Sequence, residues 1–321
     1  MKLVLFESRG RFGGLETALA EFPGTILARA SDPQTLARVL PGAEVLVTTN
    51  RLYTAENAAV IRAAGRDLKW IQFITSGIDK AIASGMPSGV VVTNASGLRA
   101  FSVAEHAIFL MFGVLRRVRE TEQARATETW CRDIVTPALQ NLSGKHLVIV
   151  GLGAIGQEVA RRAKAFDMRI TGVSRASGPI PHIDHVRPRT ALRDAAAEAD
   201  ILLLSLIYDE STKGIVSRAV IEAMKPSGVL VNIARGPLVD EPALIEALQA
   251  GRIAGAGLDV AVAEPLPPGH PFWALPNVLL TPHIGGAGDR DDNAFLKILT
   301  DNLRRWRHKA PLQNISIERT P

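Results

Sequence analysis

The chain has 321 residues, of which 47% are hydrophobic and 21% charged, and its formal net charge is +5. At about 150 residues per domain, this length predicts two domains that each form their own core. The 37 Lys and Arg residues exceed the 32 Asp and Glu residues only slightly and form no dense tract. We therefore exclude a nucleic-acid coat and a polybasic membrane anchor.

The single cysteine, Cys131, excludes an intramolecular disulfide and any cysteine-rich metal centre, so no metal is predicted. The opening residues, MKLVLFESRG, do not have the pattern of a secretory signal, and no apolar stretch reaches the roughly 20 residues that span a bilayer. We predict a soluble, cytoplasmic protein that binds neither nucleic acid nor membrane.

Short apolar runs alternate with longer amphipathic ones, which is typical of an α/β protein with parallel sheets. Two series of strands are predicted, and each is sufficient for a doubly wound unit. The first series is Lys2–Phe6, Gly24–Ala28, Glu44–Thr48, Trp70–Ile74 and Val90–Thr93. The second is His146–Val150, Arg169–Val173, Ile201–Ile207, Val229–Ile233, Gly257–Val260 and Val278–Leu280.

Three helices have clear signals. Asp32 followed by Pro33 predicts a capped helix over Asp32–Leu40. A long helix is predicted from Ser102, its N-cap, to Thr129, with an all-round apolar first half and a charged second half. A last helix is predicted over Asp289–Arg307.

A glycine pattern directly follows the strand His146–Val150. Gly151, Gly153 and Gly156 form G-x-G-x-x-G between a strand and a helix, the arrangement that binds a dinucleotide pyrophosphate. The amides that open this helix, including those of Ala154 and Ile155, are expected to face the phosphates.

The end of the next strand bears on cofactor choice. NAD-specific sites usually hold an acid there, whereas this sequence has Ser174 and Arg175. A guanidinium binds a 2′-phosphate that a carboxylate would repel. We therefore predict NADP as the preferred cofactor, with NAD as the alternative.

Three polar residues follow later strands of the second series. Arg235, Glu264 and His283 come after Val229–Ile233, Gly257–Val260 and Val278–Leu280, at the strand ends where α/β sheets place ligands. This set suits hydride transfer coupled to proton transfer. The histidine exchanges the proton, the carboxylate orients it, and the arginine binds an anionic substrate.

The whole chain resembles the D-isomer-specific 2-hydroxyacid dehydrogenase family. The segments that carry the resemblance are LKWIQFITSGID, VAEHAIFLM, LSGKHLVIVGLGAIG, ADILLLSL, MKPSGVLVNIARGPLVDEPAL, GAGLDVAVAEPLP and NVLLTPHIGG. The resemblance implies a Rossmann dinucleotide-binding domain over 100–285, inserted into a flavodoxin-like substrate domain made of 1–99 and 286–321. It also implies an active site in the interdomain cleft, closed by hinge motion, and a homodimer with the Ser102–Leu115 helix at its interface.

The resemblance also implies roles for individual residues. His283 would be the acid/base, Glu264 its partner, and Arg235 the group that binds the substrate carboxylate and carbonyl. The backbone amides of Ser76 and Gly77 would bind the same carboxylate. Asp259 would contact the nicotinamide carboxamide, and the backbone around Ile233 and Gly286 would line the cofactor.

The leading hypothesis is an NADP(H)-preferring reductase of small 2-keto acids such as glyoxylate or hydroxypyruvate. A dinucleotide-sensing regulatory protein on the same fold stays open, as does a formate- or phosphite-type dehydrogenase. Other histidines carry less weight. His106 lies in the apolar helix, which favours packing over chemistry, and His182 and His185 are predicted to lie in a solvated loop.

Overall fold

The computed structural model describes residues 1–8, 12, 14–175, 178–288 and 291–318. The chain divides into two compact units, of which the first comprises Met1–Arg99 and Gly288–Pro321 and the second comprises Ala100–Ala287. Among the described residues, no helix is both long enough and apolar enough to cross a membrane.

The strands are β1 (Lys2–Phe6), β2 (Ile26–Ala30), β3 (Val45–Thr48), β4 (Trp70–Phe73), β5 (Val91–Thr93), β6 (His146–Val150), β7 (Arg169–Ser174), β8 (His185–Pro188), β9 (Ile201–Leu204), β10 (Val229–Asn232), β11 (Gly255–Leu258), β12 (Val278–Leu280) and β13 (Ile315–Ile317). The helices are α1 (Leu15–Leu19), α2 (Pro33–Val39), α3 (Ala55–Ala64), α4 (Asp79–Ser84), α5 (Ala100–Leu115), α6 (Val118–Ala126), α7 (Arg132–Val135), α8 (Ala154–Lys164), α9 (Leu192–Glu198), α10 (Arg218–Ala223), α11 (Glu241–Gln249), α12 (Pro271–Ala274) and α13 (Asp291–Arg307). Short 3₁₀ helices cover Asn50–Leu52, Thr136–Ala138, Arg189–Ala191 and Gly236–Leu238.

Each unit contains one sheet. In the first unit the order is β2-β1-β3-β4-β5, all parallel, followed by the antiparallel edge strand β13. The parallel part has the flavodoxin-like order. In the second unit the order is β8-β7-β6-β9-β10-β11-β12, which is the Rossmann order 3-2-1-4-5-6 with one more parallel strand. The predicted fold class, two doubly wound parallel-sheet units of the flavodoxin-like and Rossmann types, is confirmed.

The cap predicted for α2 is also confirmed, because the Asp32 carboxylate accepts the Thr35 N–H at 2.7 Å. The single helix predicted from Ser102 to Thr129 is wrong. Helix α5 begins at Ala100, so Ser102 lies inside it, and Arg117 at φ 55° separates α5 from α6. The apolar half packs on α8, β10 and β11, whereas the charged half has no buried residue.

Several strand predictions also differ from the structure. Strand β9 ends at Leu204, which leaves the Ile207 side chain 81% exposed instead of within a strand. Strand β11 lies two residues earlier than predicted, so Asp259 follows it directly. His185 opens the edge strand β8, so the loop predicted there is wrong at that residue. The sequence of β8, HVRP, gave no signal because an edge strand needs no apolar alternation.

A buried polar chain ties the C-terminal segment to the sheet of the first unit. Trp70 Nε1 donates to Thr93 Oγ1, and Thr93 Oγ1 donates to Gln72 Oε1, each at 2.7 Å. Asn302 of α13 donates to Gln72 Oε1 at 3.1 Å and to the Gln313 carbonyl at 3.2 Å, and it accepts the Gln313 N–H at 2.8 Å. Asn302 therefore connects the helix, the central strand β4 and the segment that leads into β13.

We expect Asn302→Leu to lower the free energy of unfolding of the first unit by about 2–5 kcal/mol, because each buried polar group left unpaired costs about 1–3 kcal/mol. Urea unfolding monitored by circular dichroism measures this loss. Lys297→Ala on the same helix is the control. The Lys297 side chain is 80% exposed, so its loss should change stability by less than about 0.5 kcal/mol. Equal effects of the two substitutions would contradict the anchoring role of Asn302.

Candidate active site

Strand β6, the turn after it and the start of α8 form a cradle that contains the three glycines of the pattern. At two of these three positions, a larger residue is excluded for steric reasons. Gly151 has φ 99°, and a Cβ there would lie 2.7 Å from the Leu206 Cα. A Cβ on Gly156 would lie 2.1 Å from the Gly151 carbonyl oxygen, so only glycine lets α8 approach the turn. Around Gly153, in contrast, nothing lies within 4 Å of such a Cβ.

The start of α8 fits an anionic ligand. Its N-cap, Gly153, provides no side-chain acceptor, and the first turn holds no acid. Within the described residues, the N–H groups of Ala154 and Ile155 donate to no acceptor. Unpaired amides together with the positive end of the helix dipole suit a pyrophosphate. The residues present therefore fit the dinucleotide that the glycine pattern predicts.

Ser174 and Arg175 lie at the carboxyl end of β7, where Ser174 pairs with Pro188 of β8. The Arg175 side chain is exposed and forms no hydrogen bond or ion pair with any residue that the structure describes. Ala176 and Ser177, which follow in the chain, lie outside the described residues.

His283 and Glu264 form a hydrogen-bonded pair. His283 Nδ1 lies 2.7 Å from Glu264 Oε2, and Glu264 Oε1 accepts the Ala261 N–H at 3.2 Å. Nε2 of His283 has no partner in the described part of the chain, so it is available to a substrate. The geometry thus matches a proton-transferring imidazole that is oriented by a carboxylate.

Charge keeps Glu264 ionised. Burial raises the pKa of Glu264, but the hydrogen bond from His283 and the charge of Arg235 outweigh it, and the pKa lies below its ordinary value of 4.5. Because the pKa is lowered in the folded state, the ionised carboxylate stabilises the fold above pH 4.5. That contribution is lost as the pH falls through the lowered pKa.

Arg235 is held by the turn after β10. Asn232, at the end of this strand, donates to the Arg235 carbonyl at 2.9 Å and accepts the Ala234 N–H at 3.0 Å. A Cβ on Gly236 would lie 2.0 Å from the Ala261 carbonyl carbon, so the turn presses on the loop that leads to Glu264. Sequence reasoning missed Asn232, although a lone amide at the end of the apolar strand VLVN was a usable signal.

Asp259 is 3% exposed and accepts hydrogen bonds from Thr281, Ile284 and Gly285. Burial raises its pKa, but the nearby His106 side chain, 3.3 Å away, and these bonds outweigh that effect and hold the pKa below its ordinary value of 3.8. Ile233, 6% exposed, follows β10, and Gly286 is half-buried. Contacts of Asp259, Ile233 and Gly286 with the nicotinamide stay predictions.

Ser76 and Gly77 follow β4 in the first unit. Asn94 donates to the Ser76 carbonyl at 2.8 Å, and Thr75 Oγ1 donates to the Gly77 carbonyl at 2.9 Å. No acceptor among the described residues takes the N–H groups of Ser76 and Gly77. The loop is therefore fixed through its carbonyls, while its amides are free to bind an anion.

Comparison with known proteins agrees with this fold and site. Residues 108–285 match the family model described as D-isomer specific 2-hydroxyacid dehydrogenase, NAD binding domain. Hydroxyphenylpyruvate reductase of Plectranthus scutellarioides is 36% identical over 246 residues, which cover 76% of this chain and 77% of that protein. Glyoxylate reductase/hydroxypyruvate reductase of Mus musculus is 32% identical over 256 residues, which cover 79% and 78%. A crystal structure of a protein from Thermus thermophilus has a TM-score of 0.82 and 32% identity, covering 99% of this chain and 100% of that one.

The family match, together with the fold and the glycine cradle, supports an oxidoreductase that uses a nicotinamide dinucleotide. The chain belongs to the D-isomer specific 2-hydroxyacid dehydrogenase family. It is a D-2-hydroxyacid dehydrogenase or reductase, as the resemblance of its motifs implied.

Replacing Gly153 and replacing Gly156 by alanine should have different effects on the stability of the protein. Gly156→Ala should lower both stability and dinucleotide affinity, because its Cβ meets backbone at 2.1 Å. Gly153→Ala has room for the methyl group and should change the free energy of unfolding by less than about 1 kcal/mol, yet still weaken dinucleotide binding by obstructing the phosphates. Thermal unfolding and fluorescence titration with NADPH separate the two effects. Unchanged NADPH affinity in Gly153→Ala would contradict the assignment of the cradle.

Proposed function

We propose that this protein reduces small 2-keto acids to D-2-hydroxy acids, catalyses the reverse oxidation, and prefers NADP(H). The observation that carries the proposal is the 2.7 Å pair of His283 and Glu264 with Nε2 of His283 left unpaired among the described residues. The relatives named as reductases of hydroxyphenylpyruvate, glyoxylate and hydroxypyruvate support 2-keto acids as the substrate class.

Each residue of the site has a separate task. Glu264 accepts the Nδ1–H of His283, which fixes the tautomer and the orientation of the ring. During reduction, Nε2 of His283 gives its proton to the substrate carbonyl oxygen, and during oxidation it takes the proton back. The Arg235 guanidinium and the amides of Ser76 and Gly77 bind the substrate carboxylate. The nicotinamide, when bound, supplies or accepts the hydride.

We expect His283→Gln to lower turnover by roughly 10²–10⁴-fold, because glutamine donates a hydrogen bond but transfers no proton at neutral pH. Steady-state kinetics with glyoxylate and hydroxypyruvate measure the loss, and NADPH fluorescence checks that cofactor binding is retained. If the variant keeps more than about a tenth of wild-type turnover, another group is the acid/base.

Glu264→Gln should shift the pH dependence of reduction. Glutamine keeps an acceptor for Nδ1 but removes the negative charge beside the imidazole. The dependence of kcat/KM on pH should then differ from that of the wild type, because the proton donor has lost its charged partner. Profiles of kcat/KM against pH for the variant and the wild type decide this, and superimposable profiles would argue against the pairing.

The preference for NADP(H) follows from charge at the end of β7. The 2′-phosphate adds nearly two negative charges at pH 7, and Arg175 and Ser174 offer it a guanidinium and a hydroxyl. Because Arg175 is exposed and forms no ion pair with any described residue, binding the phosphate would break no ion pair with those residues. Charge-assisted hydrogen bonds of this kind correspond to a preference of roughly ten- to a hundredfold.

We expect Arg175→Ala to remove most of this preference by weakening NADPH alone, and Ser174→Asp to reverse it through repulsion. Added salt should also reduce the preference of the wild type, because an exposed charge pair is screened. Catalytic efficiencies with NADPH and NADH at two salt concentrations provide the comparison. A wild-type preference for NADH would show that Arg175 does not bind the phosphate.

We also propose a homodimer. Supporting this, Phe109 on α5 is 46% exposed, and Trp130 and Ile134 in the segment after α6 are 93% and 74% exposed. A subunit interface would cover such apolar side chains if they form one contiguous patch. A monomeric mass in sedimentation equilibrium would contradict this assignment.

A further inference from the structure

One buried residue, Asp259, accepts several hydrogen bonds from the segment that carries His283. The Asp259 carboxylate accepts the Ile284 N–H at 2.9 Å and the Gly285 N–H at 2.8 Å, and the Asp259 carbonyl accepts the His283 N–H at 2.8 Å. Three successive amides, starting with that of His283 itself, therefore point to Asp259. The position of the His283 backbone depends on where Asp259 is held.

His106 of α5 contacts Thr281 and the Asp259 carboxylate. Its Nε2 lies 2.8 Å from Thr281 Oγ1 and 3.3 Å from Asp259 Oδ1. Thr281 Oγ1 donates its single proton to Asp259 Oδ1 at 2.7 Å, so it is the acceptor toward His106. His106 must therefore carry a proton on Nε2 and donate it. We call His106, Thr281 and Asp259 the loop anchor.

Two features show that the segment is tightly held. His283 has φ 54°, a left-handed conformation that is uncommon for a residue with a side chain. A Cβ on Gly285 would lie 2.8 Å from Asp259 Oδ2 and 3.1 Å from His106 Cδ2, so the backbone there packs directly against the loop anchor. The His106 side chain is only 14% exposed.

We propose that His106 is a positioning residue, which acts through Thr281 and Asp259 to fix the backbone that carries His283. The inference rests on the proposed acid/base role of His283. Without the His106 donor, the loop anchor loses its link to α5, and the His283 segment gains freedom to leave its left-handed conformation. Proton transfer depends steeply on position, and a displacement of about 1 Å is enough to cost up to about a hundredfold in rate.

The test compares His106→Leu, which removes the donor at similar volume, with His106→Gln, which restores an N–H. For His106→Leu we expect turnover to fall about ten- to a hundredfold, with the KM for glyoxylate and the Kd for NADPH changed less than about threefold. His106→Gln should recover turnover to within about threefold of the wild type. Glu105→Gln on the same helix is the control, because the Glu105 side chain is 66% exposed and its ion pair with Arg162 is worth little.

A second measurement needs neither substrate nor cofactor. Hydrogen exchange measured by mass spectrometry should show the Ile284 and Gly285 amides of His106→Leu exchanging at least about tenfold faster than in the wild type, while a peptide over β6 stays unchanged. Equal acceleration in both peptides would make His106 a general stability residue and overturn the proposal. Unchanged exchange at 284 and 285 would also overturn it, and so would faster local exchange with turnover within about threefold of the wild type.

The two proposals fail in different experiments. If His283→Gln keeps its turnover, the acid/base assignment fails, and the exchange rates at 284 and 285 still decide whether His106 fixes this segment. If His283→Gln is inactive but His106→Leu behaves like Glu105→Gln in both measurements, only the positioning role is lost.

Discussion

Parallel pairing of three neighbouring strands is the constraint on which the site in the second unit depends. Strands β10, β11 and β12 are in register, with Asn232 opposite Leu258 and Leu258 opposite Leu280. Their carboxyl ends therefore lie side by side, and the segments that follow them carry Arg235, then Asp259 and Glu264, then His283. Residues far apart in the chain meet because apolar strands pair, not because the polar residues attract each other. The close approach at Gly236, where no Cβ fits, then brings the Arg235 turn against the loop of Glu264.

Two carboxylates at this edge of the sheet differ in their surroundings. Asp259 is 3% exposed, and its oxygens accept hydrogen bonds from donors of its own unit. Glu264 is 34% exposed at its side chain and faces one imidazole. The pKa of each is lowered, so both are charged at neutral pH. Several backbone N–H bonds hold the Asp259 carboxylate in place, whereas the half-exposed Glu264 carboxylate pairs with the imidazole of His283.

The sequence was sufficient to predict the fold class and the His283–Glu264 contact, because the ends of parallel strands and the glycine pattern can be recognised locally. It was not sufficient to predict features that depend on tertiary packing. Edge strand β8 has no apolar alternation that would predict it. The end of α5 depends on where its apolar face stops packing against the rest of the unit. His106 looked like a packing residue because its partners, Thr281 and Asp259, lie far along the chain, 175 positions away in the case of Thr281. No local pattern reports such a contact.

Helix α5 therefore has two functions that its composition alone does not separate. Its apolar face packs on α8, β10 and β11, which fixes the helix against the same strands whose ends carry the site. His106 lies on this fixed helix, so its own position is fixed as well. Its hydrogen bond to Thr281 restrains the Asp259 carboxylate, and Asp259 in turn restrains the three backbone amides that it accepts. A hydrogen-bond donor on a flexible loop would satisfy Thr281 equally well but would not restrain it. The buried helix thus explains how the backbone of His283, which has a half-exposed side chain and a left-handed conformation, is held in place.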